Sequence, residues 1–466
     1  MKTRINKLLF FIFALPLSII LAQCSKVTDW LDEKSNLNDV RPSTLSDFQA
    51  ILDEHYSMNT SFPTFGLSGT DNYYLEQTNY NAAFPLLQNL YIWKEDIYEG
   101  AVTWDWFFAY RIVENCNIVL SGLDRLKDNT NETKADNIKG SALFFRSLAY
   151  YNLAQSFCLP YSDQNKNQPG IILKTSAEVS EPLFRSTIDE TYNQIISDLK
   201  MALTLLPVTS GYQTRPTKAA CLALLAKTYL VMEDYQNAYT NASECLKQYD
   251  ELMDFNNNSF VNLKSVYRFM PYPNNPEIIF YATGINNRSI GPQTNAHGYV
   301  DKALYSSYNE GDLRKKAFYA TKEEGINYFR GTYTGANSIF AGIATNEVYM
   351  IQAESAVRIN KANEGLELLN KLLEKRFEKG SFLPLKVSNS DELLKTILNE
   401  RRKELPFTAQ IRWEDLRRLN KDSRFAITLI REINNQKYIL PPNDKRYVLP
   451  IPDKEIELSG IPQNER

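Results

Sequence analysis

The residues best suited to chemistry in this chain are aromatic rings set beside planar polar side chains. Thr70-Asp71-Asn72-Tyr73-Tyr74 is one such stretch, Trp93 in LYIWKEDIYEG another, and Tyr272, Asn274, Asn286, Asn287 and Arg288 a third group in loop-rich sequence. Pockets combine apolar, often aromatic walls with a few fixed polar groups, and these stretches supply both kinds of side chain. The competing reading for each ring is that it packs its own loop onto the fold. Catalytic patterns are missing: the sequence has no G-x-S-x-G, no P-loop and no H-E-x-x-H, and no local motif nominates a carboxylate pair among its 55 acidic residues.

Metal and redox chemistry find equally little support. His55 and His297 lie far apart and near no cysteine pair, and Cys24, Cys116, Cys158, Cys221 and Cys245 show no C-x-x-C spacing. The last four sit in apolar helical contexts and read as small buried hydrophobes, with a Cys221–Cys245 bridge left open for an oxidising compartment. No cofactor or metal is expected. A net charge of −3 without a Lys/Arg run argues against nucleic acid.

The elements that must position these groups are mostly helices. Thr217–Tyr249 reads as a helical hairpin: Leu222, Leu225, Ala226 and Tyr229 form one face, and Ala238, Ala242 and Cys245 form a stripe of small residues facing it. This is the tetratricopeptide pattern, whose hairpins bury their apolar faces only by stacking. Asn346–Phe377 repeats it, Asn137–Phe157 with Thr187–Leu206 looks like one unit split by a loop, and Trp104–Leu126 belongs to a fourth. In Trp104–Leu126, Trp104, Phe107 and Phe108 are read as apolar helical positions. A shorter helix after Pro42 carries Leu45, Phe48, Ile51 and Leu52 on one face, and a loop is expected from Ser61 to Phe84.

Between these helices, residues 250–344 change texture to Asn, Gly, Pro and Tyr, with only EIIFYAT strand-like, and this insertion is where ligand specificity is expected. A helix over Glu392–Leu405 leads to IRWEDLRRLN and a Pro-rich, extended tail. Charges at Glu400, Arg401, Arg402, Glu404, Arg412, Asp415, Arg417 and Arg418 alternate in sign at helical spacing and read as ion pairs within the fold.

At the start, Lys2, Arg4 and Lys7 precede an apolar run from Leu8 to Leu21, too short for a membrane span and suited to a secretory signal. Leu21-Ala22-Gln23-Cys24 looks like a lipobox, although Gln23 departs from the usual small residue. The organisation expected is a signal peptide over 1–23 and a tether over 24–40. A single domain over 41–466 then holds repeat helices at 104–249 and 346–405, the insertion at 250–344 and a C-terminal region at 406–466.

These pieces in this order resemble the SusD/RagB family of outer-membrane lipoproteins. The stretches that carry the resemblance are WLDEKSNLNDVRPSTLSDFQAILD, WDWFFAYRIVENCNIVLSGL, ALFFRSLAYYNLAQ, RSTIDETYNQIISDLKMALTLLP and RPTKAACLALLAKTYLVMEDYQNAY, followed by NEVYMIQAESAVRIN, ILNERRKELPF, RWEDLRRLN and YVLPIPDKEI. Thr408-Ala409-Gln410 departs from the acidic residue and Gly that many relatives carry there. The resemblance implies an all-α dominated fold of about four tetratricopeptide-like units with long irregular loops. It implies a non-catalytic surface lipoprotein, acylated at Cys24, that captures a glycan and passes it to a SusC-like TonB-dependent transporter. Some relatives take peptides, and a periplasmic tetratricopeptide scaffold is a further reading. The repeats are then expected to face the transporter, and the loops opposite, with Asp71, Tyr73, Tyr74, Trp93, Tyr272, Asn286 and Arg288, to meet the ligand.

Overall fold

The computed structural model describes residues 42–101, 103–126, 131–178, 180–285 and 298–466. Cys24, Asn286, Asn287, Arg288 and His297 lie outside the described residues.

Ten longer helices carry the fold: α1 (Leu45–Leu52), α2 (Trp104–Arg125), α3 (Glu132–Phe157), α4 (Ile188–Leu205), α5 (Lys218–Val231), α6 (Tyr235–Gln248), α7 (Thr345–Arg358), α8 (Ala362–Glu374), α9 (Ser390–Glu404) and α10 (Ile411–Leu419). Their ends follow local chemistry. Asn131 caps α3 through Lys134 N, Thr187 and Glu190 close a capping box on α4, and Thr217 caps α5 through Ala220 N. In the first hairpin, Glu233 takes a left-handed φ of 63° and Asp234 then caps α6. Asn360, also at φ 63°, makes the equivalent turn between α7 and α8. Gly365 then lets α8 approach α7, since a Cβ there would stand 2.8 Å from the Ala353 carbonyl oxygen.

Packing runs along the chain: α2 on α3, α3 on α4, α4 on α5, α5 on α6, and α6 on α7. This is the stacking that a tetratricopeptide-like array requires, because each hairpin leaves one apolar face for the next. α3 is the spine, buried almost along its whole length from Ile138. Ala238, Ala242 and Cys245 are buried on the contact stripe of α6, and the Cys221 and Cys245 thiols donate to the carbonyls of Leu199 and Ala219. Both are free, as are Cys116 and Cys158, so the hairpin is held by packing without a bridge.

Three regions carry more regular structure than the sequence reading expects. Residues 61–84 include a helix at 65–68, strand β1 (Tyr73–Tyr74) and a helix at 77–82, followed by one at 85–91 started by Pro85. The insertion holds β2 (Ile278–Phe280), within the segment read as strand-like, β3 (Tyr299–Val300), the hairpin β4–β5 (Tyr319–Glu323 and Ile326–Phe329) and β6 (Ile343–Ala344). It also holds two short helices at 302–306 and 313–318. All strand pairs are antiparallel: β1 with β3, β2 with β6, β4 with β5. Beyond α10, β7 (Leu429–Ile433) and β8 (Gln436–Leu440) form a hairpin through Asn434 and Asn435, both at positive φ as a two-residue hairpin turn requires.

The charged residues near the C-terminal helices pair inside the fold. Arg418 bonds Glu354 at 2.6 and 2.7 Å and Asp415 at 2.9 Å, and Arg401 meets Asp415 at 2.9 Å. Arg376 joins Glu277 (2.7 Å) to Glu404 (2.9 Å), tying the insertion to α9.

Candidate functional site

Of the side chains read as ligand-facing, Tyr73 and Trp93 are buried around one arginine. Arg431 of β7 lays its guanidinium 3.6 Å from the Tyr91 ring centroid, 4.6 Å from Trp93 and 5.6 Å from Tyr73. The Trp93 indole donates to the Gly69 carbonyl at 2.9 Å, and the Tyr73 hydroxyl donates to the Ser68 carbonyl at 3.0 Å. Asp71 accepts two bonds from Arg412, at 2.7 and 2.8 Å, and pairs with Arg402 at 3.1 Å. Burial opposes its charge, but the two arginines outweigh it and hold the carboxyl well below the usual range. These three residues therefore join segment 69–93 to the C-terminal third of the chain. Tyr74 is half-buried, its ring 5.8 Å from Tyr299 on the paired strand β3.

Tyr272 lies in a different setting. Its ring lies 4.5 Å from that of Tyr281 with the planes tilted by 32°, and Tyr281 lies 6.3 Å from His55 with the planes 12° apart. His55 opens a short helix, 55–59, capped by Glu54, which accepts from the N–H groups of Tyr56 and Ser57. The Asn59 amide donates to the Tyr281 carbonyl at 3.0 Å and the Thr214 carbonyl at 3.1 Å, fixing that helix on the insertion.

The next residue, Tyr56, is 60% exposed and begins a second aromatic group. Its ring meets buried Phe108 edge-on at 5.8 Å. Trp104 stacks on Phe108 at 5.7 Å, and Phe107 stands at 5.3 Å. Trp104 is 46% exposed and Phe107 51%. The expectation that these two fill an apolar helix face needs correcting. In α2, Trp106, Ala109, Ile112 and Val113 take the core face, while Trp104, Phe107, Arg111 and Glu114 run along the solvent side. Arg111 and Glu114 carried the missed signal, since the two aromatics continue a polar stripe at helical spacing.

Helix 55–59 thus connects two aromatic groups into one surface, His55–Tyr281–Tyr272 and Tyr56–Phe108–Trp104–Phe107. The insertion is anchored beside it. The Ile285 N–H donates to the Phe62 carbonyl at 2.9 Å, and Thr64 Oγ1 donates to the Ile285 carbonyl at 2.9 Å.

Under the surface, buried Asp105 accepts from the N–H groups of Thr64 (3.0 Å) and Phe65 (2.7 Å) through Oδ2, while Oδ1 has no partner. Burial pushes its pKa up to about 7, with the two backbone bonds only partly offsetting it. An acid with a raised folded-state pKa gives stability that is full below its unfolded value and lost as pH rises through the folded one. Unfolding free energy should therefore decline between about pH 4 and 7, at up to about 1.4 kcal/mol per pH unit. Asp105→Asn should flatten that slope in urea titrations; an unchanged slope would assign it to other groups.

Among the described residues, no group of three or more His, Cys, Asp or Glu is placed to hold a metal ion, and no helix is long and apolar enough to cross a membrane.

A stacked helical-repeat scaffold whose irregular segments present aromatic rings defines a class, and comparison with known proteins places the chain within it. Residues 29–230 match a SusD-like family model described as "Starch-binding associating with outer membrane", and residues 267–465 match the SusD family model. The chain belongs to the SusD/RagB family. SusD-like protein P2 of Formosa agariphila is 26% identical over 378 residues, spanning 69% of this chain and 72% of that protein. A SusD superfamily protein from Bacteroides thetaiotaomicron shares the fold with a TM-score of 0.72 at 21% identity, over 91% of this chain and 100% of that one. A SusD-like carbohydrate binding protein from Bacteroides vulgatus does so with a TM-score of 0.66 at 20% identity, over 90% and 97%. The fold is thus the helix-dominated, tetratricopeptide-like one that the motifs imply.

Proposed function

We propose that this protein is a cell-surface lipoprotein that captures a glycan and delivers it to a SusC-like TonB-dependent transporter in the outer membrane. The carrying observation is the exposed aromatic surface. Trp104 and Phe107 offer ring faces on α2 and Tyr56 on helix 55–59, and His55, Tyr281 and Tyr272 form a second ring group, with the insertion rooted alongside. Rings held by packing lose little entropy on stacking against a sugar, which is what a binding surface without catalytic groups needs. Residues 1–23 direct export, Cys24 carries the lipid, 24–40 tether the domain, and Asn286 and Arg288 supply hydrogen bonds to the ligand. Tyr74 and Tyr272 remain direct contacts in this reading, while Asp71, Tyr73 and Trp93 hold their segment in place.

Glycan-array screening of the purified protein tests the ligand class, with a peptide library alongside as the competing class. For the glycan found, Trp104→Ala with Phe107→Ala should weaken binding by about 10- to 100-fold, the loss typical of exposed aromatic anchors. The melting temperature should fall only slightly, because about half of each ring already faces solvent. Full affinity in the double variant would remove this surface from the site; exclusive binding of peptides would replace the glycan.

A further inference from the structure

Four segments far apart in sequence meet around a groove of about 960 Å³: residues 159–165 after α3, the α5–α6 turn, the end of α10, and residues 443–448. That volume lies within the range of small-molecule sites, roughly 300–1,000 Å³. The aromatic surface contributes none of its lining.

The charges around the groove are already engaged within the protein. Lys421 pairs with Glu233 at 2.6 Å and donates to the Tyr161 carbonyl at 2.8 Å. Asp163 meets Lys166 at 3.0 Å, Asp444 is held by Arg446 at 2.8 Å, and Asp234 caps α6. The terminal nitrogens of Arg417 donate to the carbonyls of Gln155 and Cys158 at the end of α3.

What remains is neutral hydrogen-bonding capacity. Asn443 spends its amide N–H on the Asn420 carbonyl, and Asn165 spends its own on the Pro160 carbonyl, leaving both side-chain oxygens to accept. Below them, Asn420 Nδ2 lies against the Tyr447 hydroxyl, and Arg417 Nε is enclosed beneath the groove surface. Amide acceptors on the walls and the Tyr161 ring beside them match a partner that is uncharged and presents hydroxyls in several directions.

We propose that this groove is a second binding site, for a short neutral saccharide. Two sites on one chain would hold a polymer by avidity, the second contact forming at the effective concentration set by the first.

The test uses the full chain carrying Trp104→Ala and Phe107→Ala, so that failure of the aromatic surface and failure of the groove are read separately. Hydrogen exchange is followed with maltoheptaose, cellohexaose and xylohexaose at millimolar concentration, and with oligogalacturonate and tetra-alanine as charged and peptide probes. Amides in 159–165 and 443–448 should exchange at least about threefold more slowly with at least one neutral oligosaccharide. Gln164→Trp, an exposed position at the rim, should abolish that protection. Absence of protection by all three neutral sugars overturns the proposal, as does stronger protection by either other probe or protection that survives Gln164→Trp.

Discussion

Replacing Arg314 by alanine should lower the unfolding free energy by about 3–5 kcal/mol, the usual loss when one member of a buried ion network is removed. Arg314 is fully buried. Its Nε and Nη2 donate to Asp312 at 2.9 and 2.7 Å, Nη2 also reaches Glu400 at 2.6 Å, and Nη1 reaches Glu404 at 3.2 Å. The first partner lies in the insertion and the other two on α9, so this side chain fastens the loop-rich region to the helices. Its loss leaves three carboxylates facing one another with little water to screen them; Arg376 still meets Glu404 and Lys403 still meets Glu400 at 2.5 Å, while Asp312 loses its guanidinium. Urea denaturation of Arg314→Ala beside Arg215→Ala gives the contrast. Arg215 pairs with Asp53 at the surface, and its removal should cost no more than about 1 kcal/mol. Equal losses in the two variants would show that the buried network contributes no more than a surface pair.

Replacing Cys24 by alanine should move the protein from the membrane to the soluble fraction almost completely. Each buried methylene of an acyl chain contributes about 0.8 kcal/mol, and stable anchoring needs more than one chain, so a lipidated Cys24 acts as an all-or-none attachment. No helix among the described residues offers a second anchor of membrane-spanning length. Fractionation with metabolic palmitate labelling reads both halves of the claim. Membrane association that persists without label in Cys24→Ala would overturn the lipid anchor. Surface labelling of intact cells also separates nutrient capture from a periplasmic scaffold, which the reagent would not reach.

The repeats were legible because their signal is local. Helical spacing of Leu222, Leu225, Ala226 and Tyr229, answered by Ala238, Ala242 and Cys245, specifies both a helix pair and its close approach. The hairpin at 429–440 had a local signal too, Asn434-Asn435 between alternating apolar residues, but LIREI and QKYIL each carry charges that mask the alternation. The aromatic surface was harder to read. Trp93 and Trp104 are the same residue type eleven positions apart. One is buried because Arg431, remote in sequence, needs aromatic walls; the other is exposed because its place in the α2 turn faces outward. Neither reason is visible within a short window. The ion pairs of Asp71 with Arg402 and Arg412 are non-local in the same way, and they turn an apparent ligand contact into a fastening between chain segments.

The way the aromatic surface is joined has a consequence for biosynthesis. Helices α2 to α6 find their packing partners within one continuous stretch, so that part of the array can consolidate as the chain emerges. The surface cannot. The Thr283 N–H donates to the Asn59 carbonyl at 2.7 Å, and Asn59 bonds Tyr281 across 222 positions of sequence, while Tyr74 waits for Tyr299. A chain halted before Tyr281 would carry α1 to α6 yet lack the far half of its ring system. The aromatic surface is thus completed late in synthesis, after much of the scaffold is already in place.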